Sequence, residues 1–106
     1  MNEFKGLHPQ LVPYAEALLA AMRAVDPSTV VTSVRRSSTE QARLYRRFLA
    51  GVSAYPVAPP GRSKHEHGLA FDISARSETL AAAGRVWEYW GGRWGGRFKD
   101  PIHFEA

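Results

Sequence analysis

Two short stretches of the sequence bring histidine and carboxylate side chains close together. Residues 63–72 contain His65 and Asp72, and residues 100–105 contain His103. The chain has no cysteine, so a metal site would have to use imidazole and carboxylate, which are ligands that catalytic zinc accepts. A catalytic zinc site has three protein ligands and one open position for water. These residue types therefore predict one zinc ion held by His65, Asp72 and His103, and a pair of unrelated histidines with a capping aspartate is the alternative.

Asp100 is not one of these three predicted ligands, and it lies three residues before His103. One turn of the chain would bring both side chains to the same water molecule. A zinc-bound water has a pKa of about 7, and a neighbouring carboxylate can take its proton. We predict that Asp100 is the catalytic base. Capping of a turn before Pro101 is an alternative reading, and it is compatible with that role.

The same stretches carry a resemblance to a known family. The sequence reads Ser-Lys-His-Glu-His-Gly-Leu-Ala-Phe-Asp over residues 63–72 and Asp-Pro-Ile-His-Phe-Glu over residues 100–105. A Trp- and Gly-rich approach precedes the second stretch at residues 92–98, and an Arg-Ser-x-x-x-Gln segment lies at residues 36–41. Together these motifs resemble the zinc peptidases of the D-Ala-D-Ala carboxypeptidase and L-alanyl-D-glutamate endopeptidase family, which cut bacterial cell-wall peptides. The resemblance runs from about residue 9 to the C-terminus.

The resemblance implies further site residues. Arg36 matches the functional arginine of the family, where a guanidinium stabilises negative charge on the attacked oxygen or holds a substrate carboxylate. The family usually has an aromatic residue before this arginine, whereas this chain has Arg35, so Arg35 is the alternative. Ser63, Gln41 and Trp94 are candidates for substrate binding. A turn serine, a glutamine that supports the arginine and a tryptophan in the core or pocket wall are the alternatives.

Two neighbouring polar residues are expected outside the ligand set. His67 lies two residues from His65, which places the two side chains on opposite sides of an extended chain. His67 is therefore expected at the surface or behind the ligands. Glu105 is expected in a strand, with orientation of a ligand imidazole as a second role.

The pattern of apolar residues predicts three helices and three strands. The helices are expected over residues 13–25, from Ser37 or Ser38 to Gly51, and over residues 77–91 with Ser77 as the N-cap. Short β-branched or alternating segments predict strands over residues 29–34, 69–74 and 102–105. The resemblance implies an α+β fold, with a small antiparallel sheet flanked by helices, similar to Hedgehog and the D-Ala-D-Ala peptidases.

Several details of packing follow from the same pattern. The predicted buried stripes comprise Ala15, Leu18, Met22 and Val25 in the first helix, and Ala42, Tyr45, Phe48 and Leu49 in the second. Residues 1–8 have no apolar period and are expected to form a loosely ordered lead-in. The proline-rich residues 52–62 are expected to form a functional loop that leads to the site. Gly95 and Gly96 are expected to form a turn.

Length and composition limit the class of protein. The chain has 106 residues and 44% hydrophobic residues, which fits a single domain over residues 1–106 and a monomer. No apolar run reaches the length of a membrane span. The first residues lack the plan of a secretory signal, so synthesis in the cytoplasm and action on the bacterial wall are expected. The net charge of +4 favours polyanions, among which an anionic wall polymer fits the motifs better than nucleic acid.

The motifs and the resemblance favour one function over its alternatives. We predict a zinc-dependent peptidoglycan peptidase that cuts the stem peptide at L-Ala-D-Glu, as a phage endolysin or tail-associated enzyme would. A D-Ala-D-Ala carboxypeptidase or dipeptidase with the same site is the second possibility. A zinc-holding wall-binding module without catalysis is the third, and a basic nucleic-acid binder explains none of the metal motif.

Overall fold

The computed structural model describes residues 3–53 and 56–106. Helices and strands alternate along these residues as follows: α1 (Val12–Val25), β1 (Val30–Ser33), α2 (Ser38–Leu49), β2 (Ala70–Ser74), α3 (Ser77–Tyr89), β3 (Arg93–Trp94) and β4 (His103–Glu105). Short 3₁₀ helices lie at Lys64–His67 and Gly95–Phe98. The strands form one antiparallel sheet in the order β1-β2-β4-β3. The predicted α+β fold is confirmed. The two-residue strand β3 was not predicted, and a 3₁₀ helix replaces the predicted turn at Gly95.

The two faces of the central strands have different chemistry. In a strand, successive side chains point to opposite faces. Phe71 of β2 lies opposite Phe104 of β4, and their rings stack with centroids 5.5 Å apart in the core. The next pair along the ladder, Asp72 and His103, is also directly opposite, and it points to the other face. The alternation therefore places an apolar core on one face and two of the predicted ligands on the other.

The core also includes the start of the chain. Phe4 and Leu7 are 1% and 5% exposed, and the Phe4 ring meets the Phe71 ring edge-on with centroids 5.2 Å apart. The prediction of a loosely ordered lead-in is therefore wrong for residues 3–8, while residues 1–2 lie outside the described residues. The spacing of three between Phe4 and Leu7 lets one turn of chain bury both side chains against the sheet.

Helices α1 and α3 pack with this core. Ala15, Leu18 and Met22 of α1 are buried as predicted, but Val25, the last residue of α1, is 72% exposed. No side-chain hydrogen bond caps the start of α3 at Arg76, and Ser77 is not the N-cap. The buried carboxylate of Asp26 instead accepts a hydrogen bond from the Arg76 backbone N–H at 2.9 Å.

Helix α2 differs from the other two because it does not contribute an apolar side to the core. Its predicted buried stripe is wrong at Phe48 and Leu49, which are 38% and 66% exposed, while Ala42 and Tyr45 are half-buried. Gln41 is its buried residue. The predicted N-cap is confirmed, since the Ser37 hydroxyl accepts a hydrogen bond from the Glu40 N–H. Among the helices of the described residues, none has the length and apolar composition needed to span a bilayer.

Replacing Phe71 with Ala is expected to lower the free energy of unfolding by about 3–5 kcal/mol, the usual cost of removing a buried phenylalanine. Its ring is fully buried and contacts the rings of Phe4, Trp87 and Phe104, so a cavity would remain. Urea denaturation followed by circular dichroism measures the change. Phe48→Ala, on the exposed side of α2, is the matched control and should cost far less. Equal losses for the two variants would contradict this account of the core.

Candidate metal centre

Three side chains that are far apart in the sequence meet at one point. His65, Asp72 and His103 are buried, and one potential ligand atom from each lies within 4.8 Å of the others. Asp72 Oδ1 is 3.2 Å from His65 Nε2 and 3.1 Å from His103 Nδ1, and the two nitrogens are 3.3 Å apart. Three ligands about 2.1 Å from a tetrahedral zinc ion would be separated by about 3.4 Å. The triangle has nearly the size that zinc requires.

Local structure explains why these atoms converge. Asp72 and His103 are directly opposite each other on neighbouring antiparallel strands, where side chains on one face are close. His65 comes from the 3₁₀ helix Lys64–His67, after which Gly68 takes a left-handed conformation with φ +70°. A Cβ at Gly68 would lie 2.6 Å from the Gly6 carbonyl oxygen. A glycine is therefore needed where the chain turns from the 3₁₀ helix into β2.

The outer hydrogen bonds orient both imidazoles. His65 Nδ1 is 2.6 Å from the Val34 carbonyl oxygen, and His103 Nε2 is 2.7 Å from Glu105 Oε1. Because a carbonyl and a carboxylate only accept, these two ring nitrogens carry the hydrogens. In the neutral rings, the nitrogens that face Asp72 then hold lone pairs. Three acceptor atoms at this separation need a proton or a metal cation between them, and the donor set of two imidazoles and a carboxylate fits zinc.

The electrostatics of the cluster show how a proton occupies it when no cation is bound. Burial opposes the charge on His103, but hydrogen bonds to Asp72 and Glu105 outweigh it and raise the pKa of His103 above its ordinary value. Burial likewise opposes the charge on Asp72, but hydrogen bonds and charge from His103 and His65 lower the pKa of Asp72 to about 2. Without a cation, His103 therefore keeps its proton to a higher pH than an ordinary histidine does, and a cation must displace that proton.

Zinc binding is consequently expected to release a proton and to weaken as the pH falls. Hydrogen bonds to Asp72 and Glu105 raise the pKa of His103 above its ordinary value, so protonation begins to compete with zinc at a higher pH than it would at an ordinary histidine. Below that pKa, the apparent affinity should fall about tenfold per pH unit for each proton displaced. Calorimetry in buffers of different ionisation enthalpy counts the protons. His67→Gln, which alters an exposed histidine outside the cluster, should release the same number, and pH-independent affinity between pH 5 and 8 would contradict the expectation.

Asp100 lies beside the cluster without belonging to it. It lines the same cleft as the three residues, and its pKa is raised, first by burial and then by the charge of Asp72. Its backbone N–H donates to the Gly95 carbonyl at 2.8 Å, and its carbonyl accepts from the His103 N–H at 3.0 Å. This tight turn fixes Asp100 one turn before His103. A Cβ on Gly95 would collide with the Asp100 carbonyl oxygen.

The two candidate arginines have different surroundings. Arg36 lines the cleft, and its Nη2 donates to Asp72 Oδ2 at 3.1 Å. Its Nη1 donates to Gln41 Oε1 at 3.2 Å. Arg35 is exposed and is not among the residues that line this cleft. Arg36 thus holds the carboxylate oxygen of Asp72 that faces away from the histidines.

The three predicted substrate-binding residues have different positions. Ser63 lines the cleft and is buried, and its hydroxyl accepts a hydrogen bond from the His65 N–H. Gln41 also lines the cleft. Its amide oxygen accepts a hydrogen bond from Arg36, and its amide nitrogen donates one to the Ala58 carbonyl. Trp94 lies outside the cleft: its indole packs on Gly84, and its N–H donates to the Pro101 carbonyl. Trp94 is thus not among the residues that line the cleft, and its contact with substrate stays a prediction.

Other polar residues lie next to His65 in the sequence, and some of them line the cleft. His67 is exposed, as expected, although it lies in a 3₁₀ helix and not in an extended chain. The sequence reading did not single out Glu66, which is buried and binds the Gly61 backbone and the Ser38 hydroxyl. Its position between His65 and His67 in the motif was the feature of the sequence that could have indicated a role for Glu66. Arg62 and Lys64 also line the cleft.

Comparisons with known proteins give a consistent result. A sequence profile of the VanY family, described as D-alanyl-D-alanine carboxypeptidase, matches residues 5–92. A comparison with curated proteins found no match. Among solved structures, a vancomycin-resistance D,D-pentapeptidase VanY mutant in complex with Zn(II) matches with a TM-score of 0.74 at 23% identity. The match covers 94% of this chain and 72% of that one.

Two further solved structures extend the range of chemistries among the similar proteins. The L-Ala D-Glu endopeptidase ChiX of Serratia marcescens matches with a TM-score of 0.65 at 25% identity, covering 99% of this chain and 84% of that one. An L,D-carboxypeptidase DacB from Streptococcus pneumoniae matches with a TM-score of 0.70 at 22% identity, covering 96% and 67%. The fold is thus shared by proteins described as cutting different peptide bonds.

Proposed function

The chain belongs to the VanY family of D-alanyl-D-alanine carboxypeptidases, which are peptidoglycan peptidases, and from this membership we propose that it hydrolyses an amide bond of the peptidoglycan stem peptide with one zinc ion held by His65, Asp72 and His103. The observation that carries the proposal is the triangle of His65 Nε2, Asp72 Oδ1 and His103 Nδ1, with sides of 3.1–3.3 Å. It lies in a cleft that also contains an aspartate outside the triangle.

The protein side chains have distinct tasks in this proposal. When bound, zinc would act as a Lewis acid that lowers the pKa of a water molecule and polarises the substrate carbonyl. Asp100 takes a proton from that water and later gives it to the nitrogen of the leaving amine. Its raised pKa suits both steps, because a base with a pKa nearer to the working pH also serves as an acid. The half-buried position of Asp100 limits competition from bulk water.

Arg36 has a positioning task and an electrostatic task. Its hydrogen bond to Asp72 Oδ2 turns the other oxygen, Oδ1, toward the two histidines. A guanidinium has five N–H donors, and the bonds to Asp72 and Gln41 use two of them. The remaining donors are available to stabilise negative charge on the attacked carbonyl oxygen. Ser63 and Gln41 hold the histidine turn and the arginine, so their contribution to substrate binding is indirect.

For the bond that is cut, we place L-Ala-D-Glu first. The Trp-Gly-Gly-Arg-Phe-x-Asp approach at residues 94–100 favours this bond, and the L-Ala D-Glu endopeptidase ChiX supports it with 25% identity over 99% of this chain. The family profile supports D-Ala-D-Ala as the second candidate. A solved structure of VanYB, 22% identical, is a complex with D-alanine-D-alanine. A monomer that acts on the cell wall, encoded by a phage or a bacterium, completes the proposal.

Digestion of defined muropeptides distinguishes the two bonds. The zinc-loaded protein is incubated with stem peptides that contain both bonds, and mass spectrometry identifies the new termini. Release of a peptide that begins with D-Glu supports the endopeptidase, and release of free D-Ala supports the carboxypeptidase. A chelator should stop the reaction, and added zinc should restore it. If neither bond breaks with zinc present, the proposed function is wrong.

A further inference from the structure

Three cationic side chains line the cleft that contains the His65–Asp72–His103 cluster, and they differ in how they are engaged. Arg36 is bound to Asp72 and Gln41. Lys64 Nζ lies 3.9 Å from Glu105 Oε2. The Arg62 side chain lines the cleft and makes no ion pair or hydrogen bond within residues 3–53 and 56–106. An arginine in a cleft with its fork of donors unused is suited to bind an anionic group of a ligand.

The backbone that carries Arg62 forms a tight turn. The Arg62 N–H donates to the Pro59 carbonyl at 3.1 Å and closes a tight turn. Pro59 and Pro60 restrict φ within this turn, and Gly61 adopts φ +84°. A long side chain on a rigid turn loses less entropy on binding than one on a mobile loop.

Glu66 anchors this turn to the fold. Its carboxylate oxygens lie 2.9 and 3.0 Å from the Gly61 backbone nitrogen, and one of them accepts from the Ser38 hydroxyl at 3.0 Å. Glu66 is only 9% exposed, and it is the residue next to His65. Gln41 secures the same segment through its hydrogen bond to the Ala58 carbonyl at 2.8 Å. Two polar side chains therefore tie the turn that carries Arg62 to α2 and to the metal cluster.

We propose that Arg62 is a specificity-determining residue that binds a free carboxylate on the leaving residue of the substrate, and that Glu66 positions it. The proposal rests on the proposed function. A D-Glu residue carries a carboxylate beyond the L-Ala-D-Glu bond, and a C-terminal D-Ala carries one beyond the D-Ala-D-Ala bond. In both cases the amine that leaves belongs to the residue that bears the carboxylate. The cleft therefore selects for this group whichever of the two bonds is cut.

The test compares each substrate with its amide. Wild-type protein and Arg62→Gln are assayed on a stem peptide with L-Ala-D-Glu and on the same peptide with D-isoglutamine, and then on a D-Ala-D-Ala terminus and its C-terminal amide. Wild-type protein should prefer the free acid of the bond that it cuts. Arg62→Gln should lose about tenfold in kcat/KM on the acid, mainly through KM, and little on the amide, because one charge-assisted hydrogen bond has about that value. The pair of substrates that responds identifies the source of the carboxylate.

Arg85→Gln is the matched control, since Arg85 is exposed on α3, and it should keep the wild-type acid-to-amide ratio. Arg62→Lys should restore part of the preference, because the charge remains. Glu66→Gln should reduce the preference in the same direction as Arg62→Gln with zinc content unchanged, and the double variant should lose no more than Arg62→Gln alone.

The outcomes separate the inference from the function on which it rests. If the wild-type protein cuts a bond but Arg62→Gln loses equally on acid and amide, or loses nothing, the assignment of Arg62 is wrong. If no bond is cut, the proposed function fails. Calorimetry then tests the carboxylate site directly, with the acid and amide forms of the peptide as ligands. Equal affinities of the wild-type protein for the two forms would overturn the inference.

Discussion

Replacing Asp100 with Ala is expected to lower kcat by about 10²–10⁴-fold, the range that a positioned general acid or base contributes. Asp100 lines the cleft beside the His65–Asp72–His103 cluster but is not one of its three members. The variant should therefore still bind one zinc ion per chain. Stopped assays on the muropeptide that the wild-type protein cuts, together with metal analysis of the same sample, measure both quantities.

The controls for Asp100 distinguish chemistry from folding. Asp100→Asn keeps the shape of the side chain but cannot accept the proton, and it should be nearly as inactive as Asp100→Ala. Glu16→Ala removes an exposed carboxylate from α1 and should leave kcat unchanged. If Asp100→Ala kept full activity on the wall, the protein would not use Asp100 as a base. A non-catalytic wall-binding module would instead keep its full wall binding in this variant.

His65→Ala is expected to abolish stoichiometric zinc binding and, with it, the activity. The loss of affinity should exceed the roughly 10–100-fold cost of removing an outer hydrogen-bond partner of a ligand, because His65 Nε2 is itself one corner of the triangle. Zinc that binds only the folded state stabilises it. The rise in melting temperature on adding zinc should therefore be present in the wild-type protein and absent in His65→Ala.

The matched control for His65 is two residues away in the same motif. His67→Ala makes the same chemical change at an exposed position, and it should keep one zinc ion per chain and the thermal shift. Metal analysis after dialysis, alongside scanning calorimetry with zinc and with chelator, compares the two variants. Zinc retained in His65→Ala, or lost in His67→Ala, would show that the metal is held by another set of residues.

The exposed apolar side of α2 gives the cleft a particular construction. Phe48 and Leu49 remain exposed, so the helix is secured by polar bonds at its start. These bonds run from Gln41 to Arg36 and Ala58, and from Ser38 to Glu66. A helix secured in this way depends on a few side chains that also contact the cluster or the turn at Arg62. Changes in these residues are thus expected to alter substrate affinity more than the free energy of unfolding.

The sequence alone was sufficient for the elements with strong periodic patterns and for the identity of the candidate ligands. The predicted helix over residues 13–25 and the strand over residues 69–74 differ from the observed α1 and β2 by one residue. The apolar steps of three and four, and the alternation around Asp72, report directly on which face each element buries. The absence of cysteine restricted the possible ligands to imidazole and carboxylate.

The errors arose where burial depends on what lies opposite a segment. Phe4 has too little local pattern to predict its contact with Phe71, and the apolar side of α2 looks like a core stripe although Phe48 and Leu49 are exposed. The backbone N–H of Arg76, the N-cap residue of α3, is bound by Asp26, 50 residues away. Contacts between residues far apart in the chain cannot be predicted from a short segment of sequence.

The tertiary structure alone decided how the ligands are arranged. The sequence determined that His65, Asp72 and His103 have the chemistry for zinc, because residue type sets which atoms can donate a lone pair. Only the antiparallel pairing of β2 with β4 places Asp72 opposite His103, and only the outer bonds to Val34 and Glu105 select the nitrogen that each histidine presents. Distances between atoms 31 and 38 residues apart depend on the register of the strands, which is a property of the whole sheet.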